Sequence, residues 1–150
     1  MVQYDTSPSP FGNLLLGWEG DAIVSLRVGK TDHTSASPVS KLAVSQLQEY
    51  FAGARKHFTF PTQLKGTPFQ LSVWAALTGI PYGHTATYKD IARAIGNEKA
   101  VRAVGMACNR NPIWIVVPCH RVVGTNQHLT GYAGGLSMKD ALLELESNNA

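Results

Sequence analysis

The sequence has only two cysteines, Cys108 and Cys119, among its 150 residues. A disulfide scaffold needs more than two, and a structural zinc site needs CxxC-type spacing, which the chain does not contain. Long apolar runs are also missing, including the apolar core of an export signal, so we expect neither secretion nor membrane insertion. These absences predict a cytoplasmic protein without a bound metal, in a compartment where a free thiol persists.

Charged residues make up only 15% of the sequence and hydrophobic residues 44%, the balance of a globular chain with a substantial core. The positive charge is unevenly placed. Residues 1–64 carry five basic and five acidic side chains, whereas residues 65–139 carry eight basic and two acidic ones. A basic segment of this kind suggests a polyanionic partner, although an ordinary solvated surface explains the charge equally well.

The first 64 residues predict a small α/β unit. Residues 12–28 contain two apolar runs around a polar turn, which is typical of a β-hairpin. Residues 40–52 have helical apolar spacing and are followed by Gly53, and residues 57–60 alternate as a strand does. Nothing in this unit requires a catalytic role, and the linker to the next unit is expected near residues 61–66.

Two helix-start signals organise the next segment. Thr67 and Thr87 are each followed, three residues later, by a side chain that can complete a capping box, which predicts helices over 68–78 and 88–95. A third helix is predicted over 98–109, with Asn97 as its cap. Two short helices joined by a glycine-containing turn suggest a helix-turn-helix, although most such corners bind nothing.

The third predicted helix has two distinct sides. Val101, Val104 and Cys108 fall on one side, which we expect to face the core. A second side carries only small residues, namely Ala100, Ala103, Gly105 and Ala107. A side without bulk allows close approach to another surface, and tight packing against a neighbouring helix is the simplest explanation of it.

Residues 109–123 contain the most reactive pair of side chains. The β-branched run over 113–117 predicts a buried strand, which must end or turn at Pro118 because proline cannot donate a ladder hydrogen bond. Cys119 and His120 therefore follow a rigid, buried element. Taken alone, such a cysteine is more often an inert core residue than a nucleophile.

The last part of the chain predicts one more helix. Ser137 and Asp140 form a further cap signal, so we expect the helix to begin at Ser137 and to end near Glu146. Its apolar side is supplied by four leucines, Leu136, Leu142, Leu143 and Leu145.

Several motifs occur together and in a fixed order: Asn111-Pro112, then Pro118-Cys119-His120-Arg121-Val122, then Gly131-Tyr132-Ala133-Gly134-Gly135-Leu136. From about Gly66 to Glu146 the chain resembles the O6-alkylguanine-DNA alkyltransferases. The resemblance implies an α/β N-terminal scaffold domain over 1–64 (ribonuclease H-like, a small antiparallel sheet plus a helix). It also implies a mostly α C-terminal domain over 65–150 with a winged-helix-like helix-turn-helix that binds DNA.

The implied activity is DNA repair by a single-turnover suicide reaction. The methyl group of O6-methylguanine in double-stranded DNA passes irreversibly to Cys119, after the nucleotide is flipped out through the minor groove. No cofactor is needed, because the damaged base itself carries the alkyl group. The resemblance implies a monomer, and cooperative assembly on DNA remains open.

The resemblance also implies residue roles. Cys119, a water molecule, His120 and Glu146 form a relay that removes the thiol proton, Tyr88 protonates the leaving guanine, and Asn111 fixes the active-site turn. Arg102 takes the place of the flipped nucleotide in the base stack. The other implied DNA contacts are Lys99, Ala100, Val101, Ala103, Gly105 and Arg110. The implied substrate pocket consists of Trp114, Val122, Gly131, Tyr132, Ala133 and Gly134.

Two positions depart from the residues found in some relatives. Ala133 lacks the serine hydroxyl of some relatives, and Trp114 stands where some have proline, so we expect poor acceptance of bulky O6-benzyl groups.

Two other functions stay open. One alternative is an alkyltransferase-like module that binds lesions without transfer, although Cys119 argues against it. The other is an unrelated Cys-His-Glu enzyme, which Arg102 and the small-residue helix side argue against.

Overall fold

A computed structural model describes residues 1–125 and 131–150 of the protein. The chain folds as two compact units. The first comprises Met1–Leu64 together with Pro112–Trp114, and the second comprises Lys65–Asn111 and Ile115–Ala150.

The first unit is built on a three-stranded antiparallel sheet in the order β1-β2-β3. The strands are β1 (Gln3–Ser7), β2 (Leu14–Glu19) and β3 (Ala22–Val28). The hairpin predicted over 12–28 is confirmed as β2 and β3, which pair from Leu14 opposite Val28. Strand β1 was not foreseen, because its residues are mostly polar and lack an apolar alternation.

Helix α1 (Pro38–Phe51) begins earlier than predicted. Ser37 caps it in a reciprocal pair with Ser40, and Pro38 occupies the first turn, where its missing N–H has no intrahelical partner to lose. The strand predicted over 57–60 is wrong. The backbone N–H of Thr59 donates to the side-chain oxygen of Gln46 (2.9 Å) rather than to a neighbouring strand, and the chain meets β3 only at Thr62.

The second unit is mostly helical. Helix α2 (Pro68–Thr78) is confirmed with its predicted capping box, and it buries Val73, Trp74 and Leu77. The indole N–H of Trp74 donates to the carbonyl of Ala107 at 2.9 Å, which fixes α2 against the helix that contains Ala107. Burying an indole in this way requires such a partner for its polar atom.

The predicted helix-turn-helix consists of α3 (Tyr88–Ala94), capped by Thr87 as expected, and α4 (Val101–Asn109). Helix α4 starts later than predicted, because Asn97 donates its backbone N–H to Ala92 and so closes α3 instead of capping α4. Val101 is 38% exposed and does not join the core. The core side of α4 is instead Val104, Ala107 and Cys108.

The strand predicted over 113–117 is wrong, although its three β-branched residues on alternate positions are buried. Ile113 forms a single bridge to Leu26, and Ile115 has a φ of 74°, a conformation that an extended run cannot contain. The amide of Asn111 donates to the carbonyl of Val117 at 2.8 Å and closes the segment into a loop.

After this loop, Pro118 leads into a short 3-10 turn, Cys119–Arg121, and then into strand β5 (Val122–Val123). Strand β5 pairs in parallel with β4 (Ala86–Thr87), which directly precedes α3. The turn that Pro118 was expected to impose is therefore present, and it places the Cys119–His120 pair inside the second unit.

Helix α5 (Leu136–Asn149) completes the chain. It begins after Gly135, whose φ of 94° suits glycine, and not at Ser137 as predicted. Leu136 is 50% exposed, and the buried side consists of Met138, Lys139, Leu142 and Glu146. Within residues 1–125 and 131–150, no helix has the length and apolarity needed to cross a bilayer.

Candidate active site

The thiol of Cys119 is held on the 3-10 turn by two neighbouring hydrogen bonds. Its backbone N–H donates to the carbonyl of Val117 at 2.8 Å. The buried Asn111 amide donates one N–H to the Val117 carbonyl (2.8 Å) and another to the Cys119 sulfur (3.2 Å). Asn111 therefore fixes both the turn and the direction of the thiol, which is only 4% exposed.

His120 and Arg121 both bind the carboxylate of Glu146, which is buried on α5. The Nε2 atom of His120 lies 2.7 Å from Oε2 of Glu146. Arg121 donates from Nε to Oε1 (2.7 Å) and from Nη2 to Oε2 (3.0 Å), and the Gly83 N–H donates to Oε1 (3.3 Å). Each carboxylate oxygen thus accepts two donors, and this two-point arginine contact fixes its plane.

The hydrogen bond to Glu146 determines the state of the His120 ring. Because Nε2 faces a carboxylate, the neutral ring carries its proton there and leaves Nδ1 as an acceptor. Nδ1 is buried and has no hydrogen-bond partner in the described part of the chain. Burial lowers the pKa of His120. The charges of Arg121 and Lys139 also lower it, whereas the hydrogen bond and charge of Glu146 raise it. The site therefore holds a neutral imidazole that can accept a proton.

The thiol itself is not ionised by its surroundings in this structure. Burial raises the pKa of Cys119, while the Asn111 hydrogen bond and the Lys139 charge act in the opposite direction. Deprotonation must therefore accompany the reaction, and an acceptor such as Nδ1 of His120 is required. Cys108 lies on the core side of α4, as predicted, and burial raises its pKa to about 12, so its thiol stays protonated near neutral pH.

Two charged residues of the site, Arg121 and Lys139, received no role from the sequence. Arg121 also donates from Nη1 to the Ile80 carbonyl at 2.7 Å. The side chain of Lys139 is 0% exposed, and its Nζ lies 3.4 Å from the Gly131 carbonyl oxygen and 5.9 Å from the ring centre of Tyr88. Helical spacing could have indicated that Lys139 is buried, since it shares one side of α5 with Leu142 and Glu146.

A cleft of about 360 Å³ opens beside α4 and brings several predicted residues together. Its lining consists of Tyr88, Val101, Arg102, Gly105, Met106, Asn109 and Gly131. A second cleft, of about 370 Å³, contains the predicted residues Ala103 and Arg110 with Thr67, Phe69, Gln70, Met106 and Ala107. Met106 borders both clefts and is 62% exposed, although no sequence pattern indicated this residue.

The remaining predicted residues lie at varied depths. Lys99 and Ala133 are exposed, and Ala100 and Gly134 are half-buried. Val122 and Tyr132 are buried, and burial raises the pKa of Tyr132. Trp114 is half-buried in the first unit, where its backbone N–H donates to the Leu26 carbonyl at 3.0 Å. Its place at the mouth of the substrate pocket stays a prediction.

Family models cover both parts of the chain. The model described as the DNA binding domain of 6-O-methylguanine DNA methyltransferase matches residues 68–148, and its ribonuclease-like domain matches residues 2–64. The chain belongs to the O6-methylguanine DNA methyltransferase family. This confirms the resemblance found in the sequence, together with the fold class expected from it.

Relatives in this methyltransferase family match over nearly their whole length. The constitutive methylated-DNA–protein-cysteine methyltransferase of Bacillus subtilis is 47% identical, over 97% of this chain and 96% of the relative. The methylated-DNA–protein-cysteine methyltransferase of Mycobacterium bovis is 46% identical, over 100% of this chain and 95% of the relative. The crystal structure of Mycobacterium tuberculosis OGT in complex with DNA has a TM-score of 0.90 and 47% identity, over 98% and 94% of the two chains.

Proposed function

We propose that this chain is a methylated-DNA–protein-cysteine methyltransferase that moves the methyl group of O6-methylguanine in duplex DNA onto Cys119. The observation that carries the proposal is the buried turn itself. It holds a thiol, the amide that orients it, and a neutral imidazole backed by a carboxylate, in the same unit as a helix-turn-helix. A nucleophile and a base oriented by a third group are the parts that covalent catalysis requires.

The proposed transfer accounts for each bond and proton with side chains of this protein and water. The sulfur of Cys119 forms a bond to the methyl carbon as the bond from that carbon to O6 breaks. The thiol proton passes to Nδ1 of His120 through water, and Glu146 stabilises the imidazolium that results. The departing guanine anion takes a proton from the Tyr88 phenol, which then regains one from the solvent or the relay. The thioether is stable, so each molecule reacts once.

The surface of α4 supplies the DNA-binding side of the proposal. Val101, Arg102 and Ala103 are exposed, and Arg102 borders the same cleft as Tyr88. Ala107 of the predicted small-residue side packs into the core, but Ala100, Ala103 and Gly105 remain at least partly exposed. Their small size allows the helix to approach the minor groove closely. The planar guanidinium of Arg102 can stack in the space that the flipped nucleotide leaves while it also donates hydrogen bonds. Lys99 and Arg110, at either end of α4, then contact backbone phosphates.

The domain roles and the assembly state belong to the same proposal. Residues 65–150 perform DNA binding and transfer, and residues 1–64 act as the scaffold. One protein molecule meets one lesion, so the working unit is a monomer. The physiological target is duplex DNA with an O6-alkylated guanine, and the protein reaches it in the cytoplasm of a cell without requiring a cofactor.

The proposal is tested by incubating the protein with a duplex that carries O6-(trideuteromethyl)guanine, followed by peptide mass spectrometry. We expect the label on Cys119, saturating at one label per protein, with none on Cys108. Cys119→Ser should abolish transfer, and Cys108→Ser should leave it intact. Binding without transfer would instead support a lesion-binding module, and release of more product than protein would support a hydrolytic enzyme.

A further inference from the structure

We propose that Met106 reads the minor groove of the DNA and favours A·T over G·C at a base pair close to the damaged guanine. The inference rests on the proposed function, which brings α4 against the minor groove, and it gives that function a preference for sequence context. Met106 forms no bond in the reaction, so it determines specificity and is not a catalytic residue.

The exposure of Met106 is the first observation. The residue is 62% exposed on α4, and among the large apolar residues in the described part of the chain only Met1, at 97%, is more exposed. Lysine, glutamine and glutamate form helices about as well as methionine does, so helix propensity does not select an apolar side chain here. The core does not select it either, because α4 packs inward through Val104, Ala107 and Cys108.

The position of Met106 is the second observation. It lies one helical turn after Arg102, so the two side chains share a side of α4. Both border the cleft of about 360 Å³ that also contains Tyr88, and Met106 borders the cleft of about 370 Å³ as well, together with Arg110. A duplex that receives Arg102 in its base stack therefore meets Met106 one turn further along the helix.

The charge around Met106 identifies the partner as a polyanion. Residues 99–110 carry three basic side chains and no acidic one. The acidic residue just before them, Glu98, is paired with Arg93 at 3.3 Å. DNA fits a basic surface with one projecting apolar side chain, because its phosphates attract the cations while the groove presents base edges to the apolar group.

The chemistry of the minor groove gives the preference its direction. A·T and G·C pairs both present acceptors there, but only G·C adds a donor, the N2 amine of guanine. The thioether of Met106 is a weak acceptor, so it displaces water from this amine without replacing the hydrogen bond. Because an unsatisfied donor is costly, we expect binding to be weaker by about fivefold or more where the contacted pair is G·C.

The test is a binding measurement that needs no methyl transfer. Three duplexes each carry one O6-methylguanine, and the neighbouring pairs on both sides of it are all A·T, all G·C or all I·C. Inosine has the major-groove edge of guanine but lacks the N2 amine, so the I·C duplex isolates the minor groove. Dissociation constants are measured by fluorescence anisotropy at one salt concentration, in a Cys119→Ser background where the lesion persists. With Met106 present, the A·T and I·C duplexes should bind about fivefold or more tightly than the G·C duplex.

Three variants separate a groove contact from a structural effect. Met106→Gln keeps the length and helix propensity of the side chain and offers a carbonyl to the guanine amine. The preference for I·C over G·C should therefore fall by about fivefold or more. Met106→Leu stays apolar and should keep the preference. Leu42→Gln, the same kind of change at a position on α1 that is 43% exposed, should also keep it.

An I·C-to-G·C binding ratio that is the same with methionine, glutamine and leucine at position 106 would overturn the inference. Such a ratio, even if it exceeds one, reports only the weaker pairing of I·C. Methyl transfer to Cys119 from the three duplexes is measured separately in the protein with its native cysteine. Transfer that proceeds while the ratio ignores Met106→Gln refutes the reading of the groove alone, and a ratio that responds to glutamine without any transfer refutes the proposed function alone.

Discussion

Replacing Glu146 with glutamine tests the buried network directly, because the change removes one charge and keeps the size of the side chain. Each oxygen of the carboxylate accepts two donors, from Arg121 and Gly83 on one side and from Arg121 and His120 on the other. Glutamine keeps only one acceptor oxygen. Whichever way its amide turns, two donors therefore face an NH2 group.

The expected magnitude follows from the burial of Arg121. Glu146→Gln leaves this buried guanidinium without its ion-pair partner. Removing one partner of a buried ion pair costs about 3–5 kcal/mol, compared with a total stability of about 5–15 kcal/mol for a domain. We expect the free energy of unfolding to fall by about 3–5 kcal/mol. Transfer by the folded fraction should slow about 100-fold, because the imidazole loses its orienting carboxylate.

Urea unfolding followed by circular dichroism measures the stability, and single-turnover transfer of a labelled methyl group measures the rate. Glu144→Gln is the matched control, since it removes the same charge from an exposed position on the same helix. Its effect on the free energy of unfolding should stay within about 0.5 kcal/mol. A loss below about 1 kcal/mol for Glu146→Gln would refute the reasoning, because Arg121 would then not depend on this carboxylate.

Three further outcomes are expected. Burial holds the folded-state pKa of His120 below its usual value. The neutral ring therefore contributes fully to the stability of the fold above about pH 6.5, and this contribution is lost as the pH falls. In urea titrations from pH 7.5 to 5, the free energy of unfolding of the wild type should therefore fall more steeply than that of His120→Asn, by up to about 1.4 kcal/mol per pH unit; parallel slopes would show that the ring protonates freely. Arg102→Ala should slow repair of duplex DNA by about tenfold or more while leaving reaction with free O6-methylguanine unchanged, and equal losses would argue against a role in nucleotide flipping. Free O6-benzylguanine should react slowly, and Trp114→Pro should accelerate it; rapid reaction of the wild type would contradict the role assigned to Trp114.

Local capping signals predicted α2 and α3 of the second unit well, because each signal depends on side chains only a few positions apart. Thr67 with Gln70 and Thr87 with Asp90 form both reciprocal hydrogen bonds of a capping box. The prediction that α4 would begin near Asn97 failed, since the backbone of that residue instead completes the end of α3. Competing hydrogen bonds of this kind cannot be ranked from sequence alone.

The active-site loop shows a different kind of failure. Alternating β-branched residues over 113–117 are buried, as predicted, but burial does not distinguish a strand from a loop that is closed by a side chain. The bond from Asn111 to Val117 decides the conformation here. The same amide also reaches the Cys119 sulfur, so the residue that disrupts the predicted strand is the one that orients the nucleophile.

Buried charges were the least predictable part of the site. His120 and Glu146 are 26 positions apart, and only the family motif suggested that they meet. Arg121 belongs to that motif and Lys139 shares the helical side of Glu146, but neither was expected to be buried, because basic side chains are normally exposed. Their burial depends on partners that the fold brings together, such as the Glu146 carboxylate for Arg121 and the Gly131 carbonyl for Lys139.

The buried, protonated thiol is consistent with a protein that can react only once. A cysteine with a low pKa would carry a permanent thiolate, which any electrophile or oxidant in the cell could consume. Cys119 instead has a raised pKa and only 4% exposure, so its thiolate fraction in the absence of DNA is small. In the proposed reaction, the alkyl group must reach the sulfur and a base must take the thiol proton. We propose Nδ1 of His120 as that base, because it is buried and has no hydrogen-bond partner among the described residues. Low intrinsic reactivity combined with a preorganised acceptor preserves the single nucleophile for the base that is presented to it.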